Sequence, residues 1–294
     1  MNNKKSRTLA AAALGALIGL CWAHPVRAAQ VAPNVVFIDS GERGSEITVR
    51  NGGERPIEVE VRVVFGYEAS DAEGRTRTVY PGREAERARS AADWIRAYPQ
   101  RAVIPPNSRQ TIRLFSRPPR DLEAGEYWAR VEVQSRPTHI PTETLDDAQD
   151  VQVRIGVATR QRIPLFVRIG ETEASLRVGS ARARLREEPD EDGVVARELQ
   201  IRYRASLAGN AAFLGSLTAR VENGSEILAE RTSPLAVFVP GVRRIRVPLP
   251  AGVSEADLRG ATLVLEPTRQ HPAIQARYLV SGRALRWEGP LALE

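Results

Sequence analysis

Apolar and polar side chains alternate with a period of two along most of this chain, in short runs separated by turn residues. Ile57, Val59, Val61 and Val63 alternate with Glu58, Glu60 and Arg62, so an extended segment there turns one face to a core and the other to water. The same alternation predicts strands over 35–38, 46–50, 57–65, 111–114 and 127–133, with Asn51-Gly52-Gly53 as a turn between two of them. The helix candidate in this half, 83–92, is rich in Ala, Glu and Arg but lacks an apolar stripe, and reads as a surface excursion.

From Val151 the alternation lengthens. Val151, Val153, Ile155 and Val157 interleave with Gln152, Arg154, Gly156 and Ala158, and strand-type residues continue to Arg168. Pro164 donates no ladder hydrogen bond, so this long strand must lie at an edge there, bulge, or change sheets. After Gly170 a second series of strands is predicted, over 199–204, 213–221, 243–247, 262–265 and 277–285. The acidic stretch Glu187 to Gly193 lacks the ligand spacing of a calcium loop and reads as a solvated hairpin tip. The expected fold is all-β, two consecutive antiparallel sandwiches.

Composition changes this picture at the N-terminus. Lys4, Lys5 and Arg7 precede a nearly uncharged apolar run, Leu9 to Ala23, and Val26-Arg27-Ala28 offers small residues at −3 and −1, so 1–28 reads as a cleaved signal peptide. The run is shorter than the roughly 20 residues that span a bilayer. Cys21 raises the lipoprotein alternative, but Leu20 stands where a lipobox wants a small residue. Removing 1–28 takes four basic residues and no acidic one, so the net charge of +6 falls to +2. With both signs interspersed, that balance favours no nucleic-acid partner. The single cysteine leaves too, and with it any disulfide, thiol nucleophile or thiolate metal site. The rest suits two domains, 29–169 and 170–294, each large enough for its own core.

An ordered set of residues then carries a resemblance. Asn51-Gly52-Gly53 is followed by Trp94, Pro99, Arg101, Ile104, Pro106, Gln110, Ile112 and Arg113. Pro119-Arg120-Asp121-Leu122 then leads to Glu126-Tyr127-Trp128, and the long strand ends Leu165-Phe166-Val167-Arg168. Over roughly 31–170 the chain resembles the periplasmic pilus chaperones of the PapD-like superfamily. The resemblance implies a boomerang of two immunoglobulin-like domains in the periplasm. It also implies that the last strand of the first domain is lent to a partner lacking its own, a pilin-like or other exported β-rich subunit, with an outer-membrane usher as assembly platform. Such β-augmentation supplies main-chain hydrogen bonds and alternate apolar side chains to an edge that would otherwise aggregate.

Carried over by position, Ile155 and Val157 fall on the donor face, extended upstream here by Val151 and Val153; read from periodicity alone, the same four are the core face of one domain. Thr159 stands where the family has another large apolar residue. Glu126 and Arg168 match an ion pair at the domain junction, and otherwise read as a surface pair of little energetic weight. The family's two basic anchors for the partner's terminal carboxylate are replaced here by Asn34 and Pro164. Arg162 lies one strand repeat, roughly 7 Å, from Pro164 on the same face as Arg154 and Arg160. It is the candidate for a relocated anchor, with Asn34 adding a neutral hydrogen bond, or else a charged residue that deters edge aggregation. Catalysis is not expected: beyond 1–28 the histidines are His139 and His271, far apart and beside turn residues, and no phosphate-binding motif occurs. No cofactor or metal is expected. The rival to a chaperone is a structural or adaptor module of an envelope or surface complex.

Overall fold

The structure, a computed structural model, describes residues 29–82, 88–138, 158–189 and 195–294. The signal segment with Cys21, His139, the donor candidates Val151, Val153, Ile155 and Val157, and residues 83–87 of the 83–92 excursion lie outside the described residues, as does part of the acidic turn.

In chain order the first half contributes β1 (Gln30–Ala32), β2 (Val36–Ile38), β3 (Gly44–Arg50), β4 (Ile57–Val64), β5 (Tyr67–Ser70), β6 (Thr76–Val79), β7 (Ile95–Tyr98), β8 (Arg101–Ile104), β9 (Arg109–Ser116), β10 (Gly125–Pro137) and β11 (Thr159–Ile169). One sheet runs β1-β3-β9-β7 and the facing sheet β2-β11-β10-β4-β8, while β5 and β6 form a separate hairpin. The alternation decides which atoms meet between the layers. Ile47, Val49, Ile112 and Leu114 from one sheet bury against Val59, Val61, Val131 and Val133 from the other, at about 1.5–3 kcal/mol of transfer free energy per fully buried aliphatic side chain. Asn51 is buried rather than a solvated turn residue. Its Oδ1 accepts from Gly53 N at 2.9 Å, and its Nδ2 lies 2.7, 3.0 and 3.1 Å from the carbonyl oxygens of Arg55, Ile104 and Pro105. The turn is thereby tied to the end of β8.

The second half contributes β12 (Ala174–Pro189), β13 (Val195–Gly209), β14 (Phe213–Asn223), β15 (Glu226–Val237), β16 (Gly241–Pro248), β17 (Thr262–Thr268), β18 (Ala284–Leu285) and β19 (Trp287–Pro290). They form sheets β16-β13-β12-β18 and β15-β14-β17-β19 around a second core that includes Leu176, Ile201, Phe213, Leu217, Val247 and Leu265. The molecule is an all-β protein of two sandwiches. The ladder between β12 and β13 closes at Pro189↔Val195, so the acidic stretch spans a hairpin end. Gly170, at φ 61, turns the chain from one half to the other in a conformation L side chains rarely adopt.

One predicted strand is corrected. Residues 277–285 form no continuous strand: Ala276–Tyr278 is a short 3-10 turn, Ser281 makes an isolated bridge to Glu173, and Ala284–Leu285 pairs with β12. Tyr278 has strand propensity, but its ring stacks on Phe37 at 4.5 Å and its carbonyl is taken by Arg168, so packing between the halves overrides local preference. Strands β5 to β8 were not anticipated by the alternation, since each is only four residues long.

Candidate functional site

The candidate site is β11 and what surrounds its two ends. Its register with β10 is unbroken from Thr159↔Ser135 to Ile169↔Gly125 and passes through Pro164↔Arg130. On its other side β2 joins in parallel only at Leu165, Phe166 and Val167. Pro164 therefore stands at the last rung before β2 joins, where the absent N–H breaks no ladder on the open side. Among the described residues no strand pairs that side from Thr159 to Pro164, although the Gln161 side chain reaches the Ala29 carbonyl.

The downstream end is buried on both faces. Ile163, Leu165 and Val167 point into the first core, and Phe166 and Arg168 face the second half. Phe166 stacks on Phe37 at 5.0 Å and on Phe238 at 5.7 Å, and Phe238 meets Trp128 edge-on at 5.0 Å. Phe238, with Ala212 and Leu214, belongs to the second half yet buries into the first core. Such aromatic pairs add about 0.5–1.5 kcal/mol each beyond their area.

Glu126 and Arg168, opposite one another in the ladder, sit in this contact. Arg168 Nε donates to Glu126 Oε2 at 3.1 Å, its NH1 to Asp39 Oδ1 at 3.2 Å, and its NH2 to the Tyr278 carbonyl at 2.6 Å. The guanidinium also lies 4.9 Å over the Phe37 ring. Glu126, fully buried, accepts from Trp128 Nε1 at 3.0 Å and from the Ala212 amide at 3.1 Å. Burial pushes the Glu126 carboxyl above its ordinary range, against the pull of Arg168 and these donors. Asn210 completes the seam: its carbonyl accepts from Glu126 N at 2.9 Å, and its Nδ2 donates to the Ala124 and Glu171 carbonyls. The pair is therefore a buried, multiply bonded link between the halves rather than a surface contact.

The upstream end is open and charged. Arg162 Nε donates to Glu132 Oε2 at 2.7 Å, and its guanidinium lies 5.0 Å over the Tyr80 ring. Arg160 approaches the other oxygen of Glu132 at 3.5 Å. Asn34 is exposed, two residues ahead of the first rung between β2 and β11.

Sequence reasoning missed three members of this region. Arg130, across the ladder from Pro164, is buried; its NH2 lies 3.5 Å from Glu68 and its Nε has no partner among the described residues. Its alternation with Glu126, Trp128 and Glu132 was visible, but which residues stood opposite was not. Asp39 and Tyr278 carried no signal at all, because only the approach of the halves brings them to Arg168. His271 joins no metal-binding cluster: no group of three or more His, Cys, Asp or Glu side chains that could hold an ion occurs among the described residues. No described helix is long and apolar enough to cross a membrane.

No family model matches the chain, and no curated protein matches it. Among solved structures the chain is similar to the YadV chaperone, at 12% identity and a TM-score of 0.42, covering 90% of this chain and 99% of that one. It is similar to the CsuC–CsuE chaperone–tip adhesion subunit pre-assembly complex from Csu pili of Acinetobacter baumannii, at 12% identity, a TM-score of 0.41 and coverage of 91% and 99%. It is also similar to the Pseudomonas aeruginosa CupB2 chaperone, at 11% identity, a TM-score of 0.41 and coverage of 90% and 100%.

Proposed function

We propose that this chain is an exported, periplasmic chaperone that binds a pilin-like or other β-rich subunit by lending it an edge strand. The observation that carries the reading is the open edge of β11 from Thr159 to Pro164, held on its other side by a continuous ladder to β10. A subunit missing a strand exposes an apolar groove beside unpaired N–H and C=O groups, and an edge of this kind can complete it. Val151, Val153, Ile155 and Val157 continue the odd-numbered series of Ile163, Leu165 and Val167, so a partner paired with an extended strand there would meet them on one face. The buried downstream end supports the reading physically, because a donor strand must be held rigidly to spend little entropy on binding. In this reading 29–169 presents the strand and 170–294 braces it. Arg162 exchanges Glu132 for the partner's terminal carboxylate, Asn34 adds a neutral hydrogen bond, and an outer-membrane usher receives the loaded complex.

The test is recovery of a partner from the periplasm with the wild-type chain and with Val153→Asp and Ile155→Asp, each variant's thermal unfolding being followed in parallel. The reading expects one small exported β-rich protein, unstable without this chain, to be lost from both variants while melting is unchanged. Normal melting with normal capture refutes strand donation. Recovery of a fixed multi-protein envelope complex instead supports the adaptor alternative.

A further inference from the structure

The balanced charge of the sequence conceals a segregation that the second sandwich creates. Beyond Lys5 every basic residue other than histidine is arginine. In β12 a register shift between Gly179 and Arg182, with Ser180 at φ 50, changes the parity of the strand. Leu176 and Val178 before it and Ala181 and Ala183 after it therefore all face the core. Arg182 and Arg184 are turned outward. In β13 the buried Ile201 and Tyr203 alternate with Arg202 and Arg204, and in β16 Ile245 and Val247 alternate with Arg244 and Arg246. These six arginines share one face of one sheet.

The register places them side by side. Arg182 stands opposite Arg202, and Arg202 opposite Arg244; on the next outward row Arg184 and Arg246 flank Gln200. Neighbouring strands lie about 4.8 Å apart and alternate residues about 6.8 Å, so the guanidinium groups form a two-dimensional array. Like charges directly opposite one another are destabilising in a sheet. Acidic compensation is sparse: Glu198 lies 3.5 Å from Arg246, and Glu294 bridges Arg182, at 3.6 Å, and Arg202. Arg184, Arg204 and Arg244 have no acidic partner among the described residues. The carboxylate of Glu294, shared between Arg182 and Arg202, shows that the array accepts an oxyanion, and guanidinium groups bind phosphate oxygens as well as carboxylates.

We propose that this arginine face docks the protein on the phosphate groups of an anionic phospholipid surface. A specific protein interface would be expected to offer aromatic or apolar anchors at its centre. The centre of this face instead carries polar donors around half-buried Val242, and its exposed large apolar side chain, Leu285, lies at the β18 edge opposite Arg177. A repeating array of cations with no apolar anchor at its centre suits a repeating array of phosphates, each arginine near an anionic bilayer strengthening attachment about fivefold.

The experiment is flotation of the purified full chain with vesicles of phosphatidylcholine alone, and with vesicles containing about one-third phosphatidylglycerol, at low and high salt. The expected result is capture by the anionic vesicles only, lost at high salt. The triple variant Arg184→Glu/Arg204→Glu/Arg244→Glu should bind at least about a hundredfold more weakly. The same arginines changed to Lys should retain most of the binding, and Arg50→Glu/Arg109→Glu/Arg113→Glu, which reverses as many charges on the first sandwich, should retain more than the β12–β13–β16 reversal. Equal capture by neutral vesicles, as apolar insertion of 9–23 would give, overturns the proposal. So does unchanged binding of the first variant with unchanged melting, or stronger competition from duplex DNA or an acidic peptide than from the anionic vesicles.

Discussion

The two ends of β11 share one backbone ladder and differ in everything else. From Leu165 to Val167 the strand is paired on both sides, and its flanking Arg168 is bonded to Glu126, Asp39 and Tyr278 across the junction of the halves. Among the described residues, Thr159 to Pro164 is paired on one side only, and its outward, partly exposed arginines converge on half-buried Glu132. One strand therefore combines a clamped end, where desolvated charge and stacked rings determine how the sandwiches sit, with an end whose outer edge pairs with no strand among the described residues. Electrostatic contributions should follow the same division, large where water is excluded and small where it is not.

The sharpest way to break this contrast is Glu126→Ala, which strands the Arg168 guanidinium and the Ala212 amide in the buried junction. We expect a loss of about 3–5 kcal/mol in urea unfolding, the cost of removing one partner of a buried pair. A loss below about 1 kcal/mol would mean the junction is wet. Next is Arg162→Ala at the open end, where stability should change by no more than about 1 kcal/mol while partner affinity falls by about 1.5–3 kcal/mol. Amidating the partner's C-terminus should erase most of that difference; if it does not, Arg162 holds no terminal carboxylate. The third prediction concerns pH. Because burial raises the Glu126 carboxyl, the folded chain keeps that proton to higher pH than the unfolded chain does. The stability it contributes is then complete below the ordinary carboxylate range, near pH 4.3, and is lost as pH rises through the raised folded value. Stability profiles of wild type and Glu126→Gln should differ in slope across that window, and parallel profiles would contradict it. The smallest effect is expected for Arg160→Ala, within about 0.5 kcal/mol by thermal unfolding, as for an exposed residue in a long-range pair.

Much of the first sandwich was legible because period-two alternation is a local property. Ile57 to Val63 could bury one face only as a strand, and Asn51 followed by two glycines could only be a turn. The buried contact of Asn51 with the Ile104 carbonyl was not legible, since 53 residues separate them. Residues 277–285 failed for the converse reason: Tyr278 and Leu279 have the composition of a strand, but their partners lie in the other half. At the site, Glu126 and Arg168 could be named from the ordered resemblance, whereas Asp39 and Arg130 could not, because no spacing in the chain states which strands lie side by side.

The sequence by itself determined that this is an all-β chain of two successive strand series, since alternation and turn chemistry act over a few residues. It also supplied the alternation that divides core from surface in each strand. Only the tertiary structure decided that β11 is open along one edge and buried at the other end, that Arg168 reaches Tyr278, and that six arginines scattered from 182 to 246 stand in one array. Register and neighbour order arise from the packing of whole layers, and a charge acquires its energetic meaning from the dielectric and the partners that packing assigns to it.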